Sequence, residues 1–172
     1  MFLNYIKDFS VKKRLKNSLQ NVKSAFAANS IKTIGLLIDE SRFSEIDLLI
    51  NELHSNGVLD KDIKVIVYRD RLKKNGANSQ ATFSSKDLNW NSTINNADVN
   101  EFVNKEFDLL ISYYDVDKSI LLVITHHSGA HFKVGFASID KRFNDLMINT
   151  NTGNYKVFTH ELFRYLKILN KI

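Results

Sequence analysis

The stretch that decides the fold is residues 31–68, IKTIGLLIDESRFSEIDLLINELHSNGVLDKDIKVIVY. Residues 31–39 form a nearly continuous apolar run rich in β-branched side chains, which is typical of a strand buried on both faces. Apolar residues from Phe43 to Leu53 recur at helical spacing, and Gly57 supplies a helix stop. Residues 63–68 are a second strand. Because this order is strand, helix, strand, it predicts a right-handed crossover and a parallel pair.

The rest of the chain continues the alternation of helices and strands. The pattern predicts a short helix near 99–103, a strand at 107–114, a helix from Ile120 that includes His127 and His131, strands at 132–136 and 145–149, and a closing helix at 158–169. The sum indicates an α/β fold with a three-layer, mostly parallel open sheet of Rossmann-like type. An alternative interpretation makes residues 119–138 a hairpin that turns at His127, Ser128 and Gly129, and part of the sheet antiparallel.

Residues 70–97 form a long polar connection between the second predicted strand and the short helix. Its large apolar side chains include Phe83, Leu88 and Trp90, which could anchor it. A connection of this length in a compact domain is usually either functional or mobile. An exposed Trp90 would offer a surface on which a base can stack, but we expect Trp90 to anchor the connection to the core.

The N-terminal segment is a basic amphipathic helix. Its apolar residues recur at spacings of three and four, as Val11, Leu15, Leu19, Val22 and Phe26, and residues 27–30 are predicted to end it. Residues 1–24 hold six Lys or Arg against one acid, Asp8, whereas the remainder is balanced at 18 basic and 18 acidic residues. The whole excess charge therefore lies in this helix. We predict two units, a basic helix in residues 1–30 and an α/β domain in residues 31–172.

The composition excludes several classes of protein. A chain of 172 residues with 44% hydrophobic content is large enough for one domain with its own core. The sequence contains no Cys, which excludes disulfides, thiolate metal sites and cysteine nucleophiles. No apolar run reaches the length of a secretory signal or a membrane span, so we expect a cytoplasmic protein.

Several segments together resemble a known family. They are residues 86–90 (KDLNW), 107–111 (FDLLI), 132–135 (FKVG), 145–148 (DLMI) and 161–166 (ELFRYL). The combination is similar to an uncharacterised family of Bacteroidota proteins of unknown function, and the likeness covers most of the chain. The resemblance implies a bacterial origin and a Rossmann-like fold. It brings no catalytic residues with it.

Acidic residues lie at the ends of three predicted strands. Asp39, Asp70 and Asp115 could converge on one edge of the sheet, where parallel sheets bind ligands and where carboxylates could hold Mg²⁺. The alternative is that they begin turns and cap helices. The sequence has neither a Gly-rich dinucleotide fingerprint nor a Walker-type loop. This argues against the common nucleotide-binding enzymes, and no cofactor is expected.

A histidine cluster is the other candidate for metal chemistry. His127 and His131 would share one face of a helix, with His126 beside them, as zinc-binding pairs do. However, Ser128 stands where the common zinc motif has Glu, and no third ligand is evident. We therefore predict no metal site and a structural role for these histidines.

Basic residues in two segments favour a non-enzymatic binding protein that contacts RNA or a ribonucleoprotein such as the ribosome. The predicted RNA-binding residues are Lys12, Lys13, Arg14, Lys16, Lys23, Arg69, Arg71, Lys73 and Lys74. One alternative is a Rossmann-like enzyme acting on a nucleotide-type or phosphorylated small molecule at Asp39, Asp70 or Asp115. Another is a peripheral inner-membrane protein attached through the N-terminal helix, which is also suited to a protein partner. The helix could equally be solvated and docked on its own domain.

Overall fold

The computed structural model describes residues 2–18, 30–71 and 80–172. The helices of these residues are α1 (Phe2–Ser18), α2 (Ile46–Ser55), α3 (Ala97–Asn104), α4 (Ser119–His127) and α5 (Tyr155–Ile168). The strands are β1 (Ile34–Asp39), β2 (Ile63–Tyr68), β3 (Ala81–Phe83), β4 (Leu109–Tyr113), β5 (Phe132–Phe136) and β6 (Leu146–Ile148).

The strands of the described residues form one parallel sheet in the order β3-β2-β1-β4-β5-β6. This is the doubly wound order of Rossmann folds, in which β1 and β4 are neighbours and the chain turns in opposite directions on either side of them. The predicted parallel pair of β1 and β2 is confirmed, and so is the α/β class with a parallel sheet.

Helices cover both faces of the sheet. Side chains alternate along each strand, so Leu37 contacts the core under α1, α3 and α4, whereas Leu36 and Ile38 contact the core under α2 and α5. All six residues of β1 are buried. The protein therefore has the three layers that the sequence predicts.

Two local predictions are wrong. The helix at 120–131 ends at His127, because the following backbone turns to other elements: the Gly129 N–H donates to the Val103 carbonyl, and the His131 N–H donates to the Phe107 carbonyl. His127 and His131 therefore do not share a helix face. The hairpin interpretation of 119–138 is also wrong, because β4 and β5 are parallel.

The strand β3 is absent from the sequence prediction. It is three residues long and lies in the polar connection at 70–97, where it pairs with the carboxyl-terminal half of β2. By contrast, β2 and β5 occupy the predicted residues 63–68 and 132–136.

The helix α1 begins at Phe2, and its inner face carries Val11 and Leu15, as the apolar spacing predicts. Both side chains belong to the core cluster that also includes residues of α3 and α4. The predicted continuation through Leu19, Val22 and Phe26 lies outside the described residues. The division into units 1–30 and 31–172 stays a prediction.

Candidate nucleic-acid interface

The helix α1 lies along α4, near parallel to it. At the beginning of α4, the Ser119 hydroxyl donates to the Asp8 carbonyl at 3.2 Å. At the end of α1, the Ser18 hydroxyl lies 3.2 Å from Nε2 of His126. Val11 is fully buried and Leu15 is 4% exposed. The helix is thereby fixed with one face inward and the opposite face in solvent.

The described basic residues of α1 fall into two groups. Lys7 donates to the carbonyls of Ser85 and Leu88, at 3.3 and 2.8 Å, and Lys12 forms a 3.2 Å ion pair with Asp117. These two lysines attach α1 to the rest of the molecule. The predicted RNA-binding residues Lys13 and Arg14 are exposed, and neither has an ion pair or side-chain hydrogen bond with any described residue. The side chain of Lys16, and all of Lys23, lie outside the described part of the chain.

The solvent face of α1 also carries apolar side chains. Phe9 is 64% exposed and Ile6 is 40% exposed. Phe9 and Lys13 are four residues apart, so they are neighbours on the helix surface. Arg14 follows Lys7 by seven residues, so it lies two turns further along the same side of the helix. Exposed cations and an exposed ring therefore occupy adjacent positions.

The second basic segment follows β2. The Arg69 guanidinium pairs with Glu40 through both Nε and Nη2, and its backbone N–H donates to the Phe83 carbonyl at 2.9 Å. Arg71 is exposed. The predicted residues Lys73 and Lys74 lie outside the described residues. Both basic segments therefore contact the connection at 70–97. Arg69 does so through its backbone at the end of β3, and Lys7 does so through its side chain at Ser85, just beyond β3.

That connection carries a short hairpin, residues 88–94, which we call the Trp90 hairpin. Leu88 and Ile94 pair as an antiparallel bridge, and the Asn89 N–H donates to the Thr93 carbonyl at 2.8 Å. Trp90, at its tip, is 51% exposed, so the expectation that Trp90 anchors the connection to the core is wrong. Leu88, which is 3% exposed, and Phe83, which is fully buried, do that instead.

A pocket of about 310 Å³ lies beside the Trp90 hairpin. Its lining residues come from the hairpin, α3 and the end of α4, and are Ser92, Thr93, Ile94, Asn100, Val103 and His127. The Asn100 amide donates to the Ile94 carbonyl at 3.0 Å, which joins the hairpin to α3. Burial, together with the charge of Lys133, lowers the pKa of His127, so the ring is neutral at neutral pH.

The acids at the strand ends have a different arrangement. Asp39, at the end of β1, is fully buried, and the ammonium of Lys118 lies 2.9 Å from Oδ2 and 3.1 Å from Oδ1 of its carboxylate. The same ammonium lies 3.1 Å from Asp70 and 4.3 Å from the ring centre of Tyr68. The Ser41 hydroxyl donates to Asp39 at 2.6 Å. We call these five residues the carboxyl-edge cluster.

The pKa of Asp70 reflects this arrangement. Its partial burial raises the pKa, but the hydrogen bond from the Tyr68 hydroxyl and the ammonium of Lys118 together lower it below its usual value. Burial, and next the hydrogen bond to Asp70, raises the pKa of Tyr68. Asp39 and Asp70 thus meet at one edge of the sheet. The Lys118 ammonium occupies the space between them and neutralises both carboxylates, as a bound metal cation would otherwise do.

Asp115, the third predicted acid, does not join that cluster. One carboxylate oxygen lies 3.5 Å from Nε of Arg42, and the other accepts a 3.4 Å hydrogen bond from the Thr152 hydroxyl. It links the turn after β1 to the segment before α5. Sequence reasoning missed both Lys118 and Arg42, because a single cation in a short loop gives no periodic or motif signal.

The three predicted histidines do not form one cluster. The ring centres of His126 and His127 lie 5.2 Å apart near the end of α4, with the rings tilted to each other, whereas His131 lies 3.9 Å from Asp108 before β5. Across the described residues, no three His, Asp or Glu side chains form a group suited to a metal ion.

The described helices include none long and apolar enough to cross a membrane. No curated protein and no solved structure matches the chain. One family model matches residues 7–169, which is nearly the whole chain, and its description is a family of unknown function, DUF6913. The resemblance to an uncharacterised family is confirmed, and the Bacteroidota origin stays a prediction. The chain thus belongs to the DUF6913 family of unknown function.

Proposed function

We propose that this protein is a cytoplasmic, non-enzymatic RNA-binding protein, which contacts RNA or a ribonucleoprotein such as the ribosome through α1 and the segment after β2. The observation that carries the proposal is that both basic segments contact residues 83–88. Lys7 donates to the carbonyls of Ser85 and Leu88, and the Arg69 backbone N–H donates to the Phe83 carbonyl. Two segments that are far apart in sequence thereby reach the same part of the molecule.

The cations that would contact phosphate are Lys13, Arg14 and Arg71, because each is exposed in the described structure. Lys12 and Arg69 already neutralise Asp117 and Glu40. These two residues therefore hold the basic segments in place and do not contact phosphate. Binding of this kind is directed at phosphates, so it weakens steeply as salt rises.

The test replaces Lys13, Arg14 and Arg71 by Glu in the full chain and measures the binding of a short fluorescent RNA by anisotropy at low and moderate salt. The matched control replaces Lys32, Lys61 and Lys167 by Glu, since these are also exposed and the net charge changes equally. We expect the first variant to lose binding and the control to lose much less. Substitution is preferred to removal of α1, because removal would uncover the core around Val11 and Leu15.

Equal binding by both variants would overturn the proposal. The proposal would also be overturned if the first variant alone lost its flotation with anionic liposomes and yet bound RNA as well as the wild type. That outcome would assign the surface to a membrane interface, which the exposed Phe9 and Ile6 also suit. Migration of the protein with ribosomal particles on a sucrose gradient, lost in the first variant, would identify the ribonucleoprotein.

A second candidate function is an enzyme acting on a nucleotide-type or phosphorylated small molecule. The observation that favours it is the strand order, which leaves a switch point between the carboxyl ends of β1 and β4, beside Asp39 and Lys118. A phosphate there would take Lys118 from Asp39 and Asp70. A rise in Tm with nucleotides or Mg²⁺ that is absent in Lys118→Met would support this function.

A further inference from the structure

The feature that reaches beyond a general phosphate surface is the exposed Trp90, the only Trp of the chain. Trp is large and apolar, and its burial usually contributes to a core. Here Trp90 is 51% exposed at the tip of a hairpin, while Leu88, two residues earlier, is buried. An aromatic ring held out of the core in this way has a face available to a partner.

The Trp90 hairpin is held in one conformation by its own hydrogen bonds. The Asn89 side chain donates to the Thr93 hydroxyl at 2.9 Å, and the Thr93 hydroxyl donates to Asn91 at 2.7 Å. The Ser92 N–H donates to the Asn89 carbonyl at 3.1 Å. Because the turn is ordered before any partner arrives, binding at Trp90 loses little conformational entropy.

The pocket beside the hairpin has the size and chemistry for one aromatic ring with polar edges. Its volume of about 310 Å³ lies at the small end of ligand sites. Ile94 and Val103 supply apolar surface, and the side chains of Ser92 and Asn100 supply polar groups. The Ser92 hydroxyl oxygen is buried and has no hydrogen-bond partner among the described residues. Ser92 also has a φ of 69°, a conformation that a non-glycine residue rarely adopts.

The charges around the hairpin fit a nucleic acid strand. Lys7 holds the base of the hairpin, and Arg14 lies two turns further along the same side of α1. At the other end of α1, Ser18 contacts His126, which precedes the pocket residue His127. A strand that follows α1 would therefore pass both the Trp90 ring and the pocket.

We propose that the Trp90 hairpin and its adjacent pocket bind an unpaired nucleobase, so that the RNA bound by this protein is single-stranded. The inference rests on the proposed RNA-binding function and names its substrate class. Bases in a duplex are stacked on each other and present no free face, whereas unpaired bases stack on exposed aromatic rings and offer their edges to polar side chains.

The test uses the fluorescence of Trp90, which reports from this site alone. The full-length protein is titrated with a single-stranded oligoadenylate, and separately with the same oligonucleotide annealed to its complement. We expect quenching by the single strand and little by the duplex. Trp90→Ala should weaken binding of the single strand by roughly tenfold, and Trp90→Phe by less, because Phe retains a stacking face.

A second variant examines the pocket. Ser92→Gly removes the unpartnered hydroxyl and relieves the positive φ, so the fold is preserved while binding of the single strand weakens a few-fold. Far-UV circular dichroism of each variant checks the fold.

Absence of quenching, together with unchanged affinity in Trp90→Ala, would overturn this inference. If the Lys13, Arg14 and Arg71 variant still loses binding in that case, the RNA-binding function stands and only the base site fails. If that variant also binds normally, the proposed function fails as well, and Trp90 belongs to a contact with another kind of partner.

Discussion

The carboxyl-edge cluster and the outer face of α1 both concentrate charged residues, but they use them in opposite ways. At the edge, the Lys118 ammonium is enclosed by Asp39, Asp70 and the Tyr68 ring. On the outer face of α1, Lys13 and Arg14 are exposed. Cations that are already neutralised stabilise the fold, whereas exposed cations beside exposed rings remain available to a partner. The location of charge in the sequence did not separate these two roles.

The largest expected effect is in the carboxyl-edge cluster. Lys118→Met leaves the fully buried Asp39 carboxylate without its cation, and we expect the free energy of unfolding to fall by about 4 kcal/mol. Urea denaturation measures it. Lys141→Met, which removes an exposed lysine, is the matched control and should change stability by less than about 0.5 kcal/mol. A small effect of Lys118→Met would mean that the cluster does not hold the fold.

The next largest effect on stability distinguishes the buried face of α1 from its exposed face. Leu15→Ala leaves a cavity in the core shared with α4, and we expect a loss of about 2.5 kcal/mol in the free energy of unfolding. Phe9→Ala on the same helix removes a side chain that is 64% exposed and should leave stability nearly unchanged. Equal effects of the two substitutions would contradict the orientation of α1.

The third prediction is that lowering the pH affects stability through the histidines of α4 before it affects the carboxyl-edge cluster. Burial, and next the charges of His127 and Lys133, lowers the pKa of His126 below that of an unfolded histidine. The unfolded chain therefore binds more protons, and the free energy of unfolding falls as pH drops through about 6.5. The carboxyl-edge cluster responds only at more acidic pH, because the pKa of Asp70 is lowered and its stabilising contribution is lost when the carboxylate is protonated.

The measurement is a series of urea denaturations between neutral pH and pH 5, for the wild type and for His126→Gln with His127→Gln. The double variant should lose less stability over that interval. An identical pH dependence in the two proteins would show that these histidines titrate alike in the folded and unfolded chains.

The smallest expected effect is on stability at Trp90. Because the ring is half exposed and Leu88 provides the anchor, Trp90→Ala should change the free energy of unfolding by less than about 0.5 kcal/mol. Thermal unfolding measures it. A large loss would show that Trp90 is an anchor of the fold, as the sequence suggests, and would remove the reason to assign it to a partner.

Uninterrupted apolar runs made much of the fold predictable. The strands β2 and β5 are short β-branched or aromatic runs between turn residues, and both were predicted at their observed bounds. The strand β3 has three residues, ATF, in a polar connection, and such a short edge strand has no periodic signal. Strand order was also beyond prediction, since it depends on pairings between residues that are distant in the chain.

The candidate sites were predictable only in part. The rule that strand ends share an edge of a parallel sheet brings Asp39 and Asp70 together, but the ammonium between them comes from Lys118 in an ordinary loop. Likewise, the helical period does not reveal that α4 stops at His127, because the stop depends on tertiary hydrogen bonds of Gly129 and His131. The exposure of Trp90 depends on Leu88 filling the core position instead.

The most direct test of the central claim is the salt dependence of RNA affinity. Fluorescence anisotropy with one single-stranded RNA over a series of salt concentrations gives the slope of log affinity against log salt, for the wild type and for Lys13→Gln with Arg14→Gln. If both cations contact phosphates, the magnitude of the slope falls by about 1.4, since each contact to a single strand contributes about 0.7. An unchanged slope would contradict the assignment of this face to RNA.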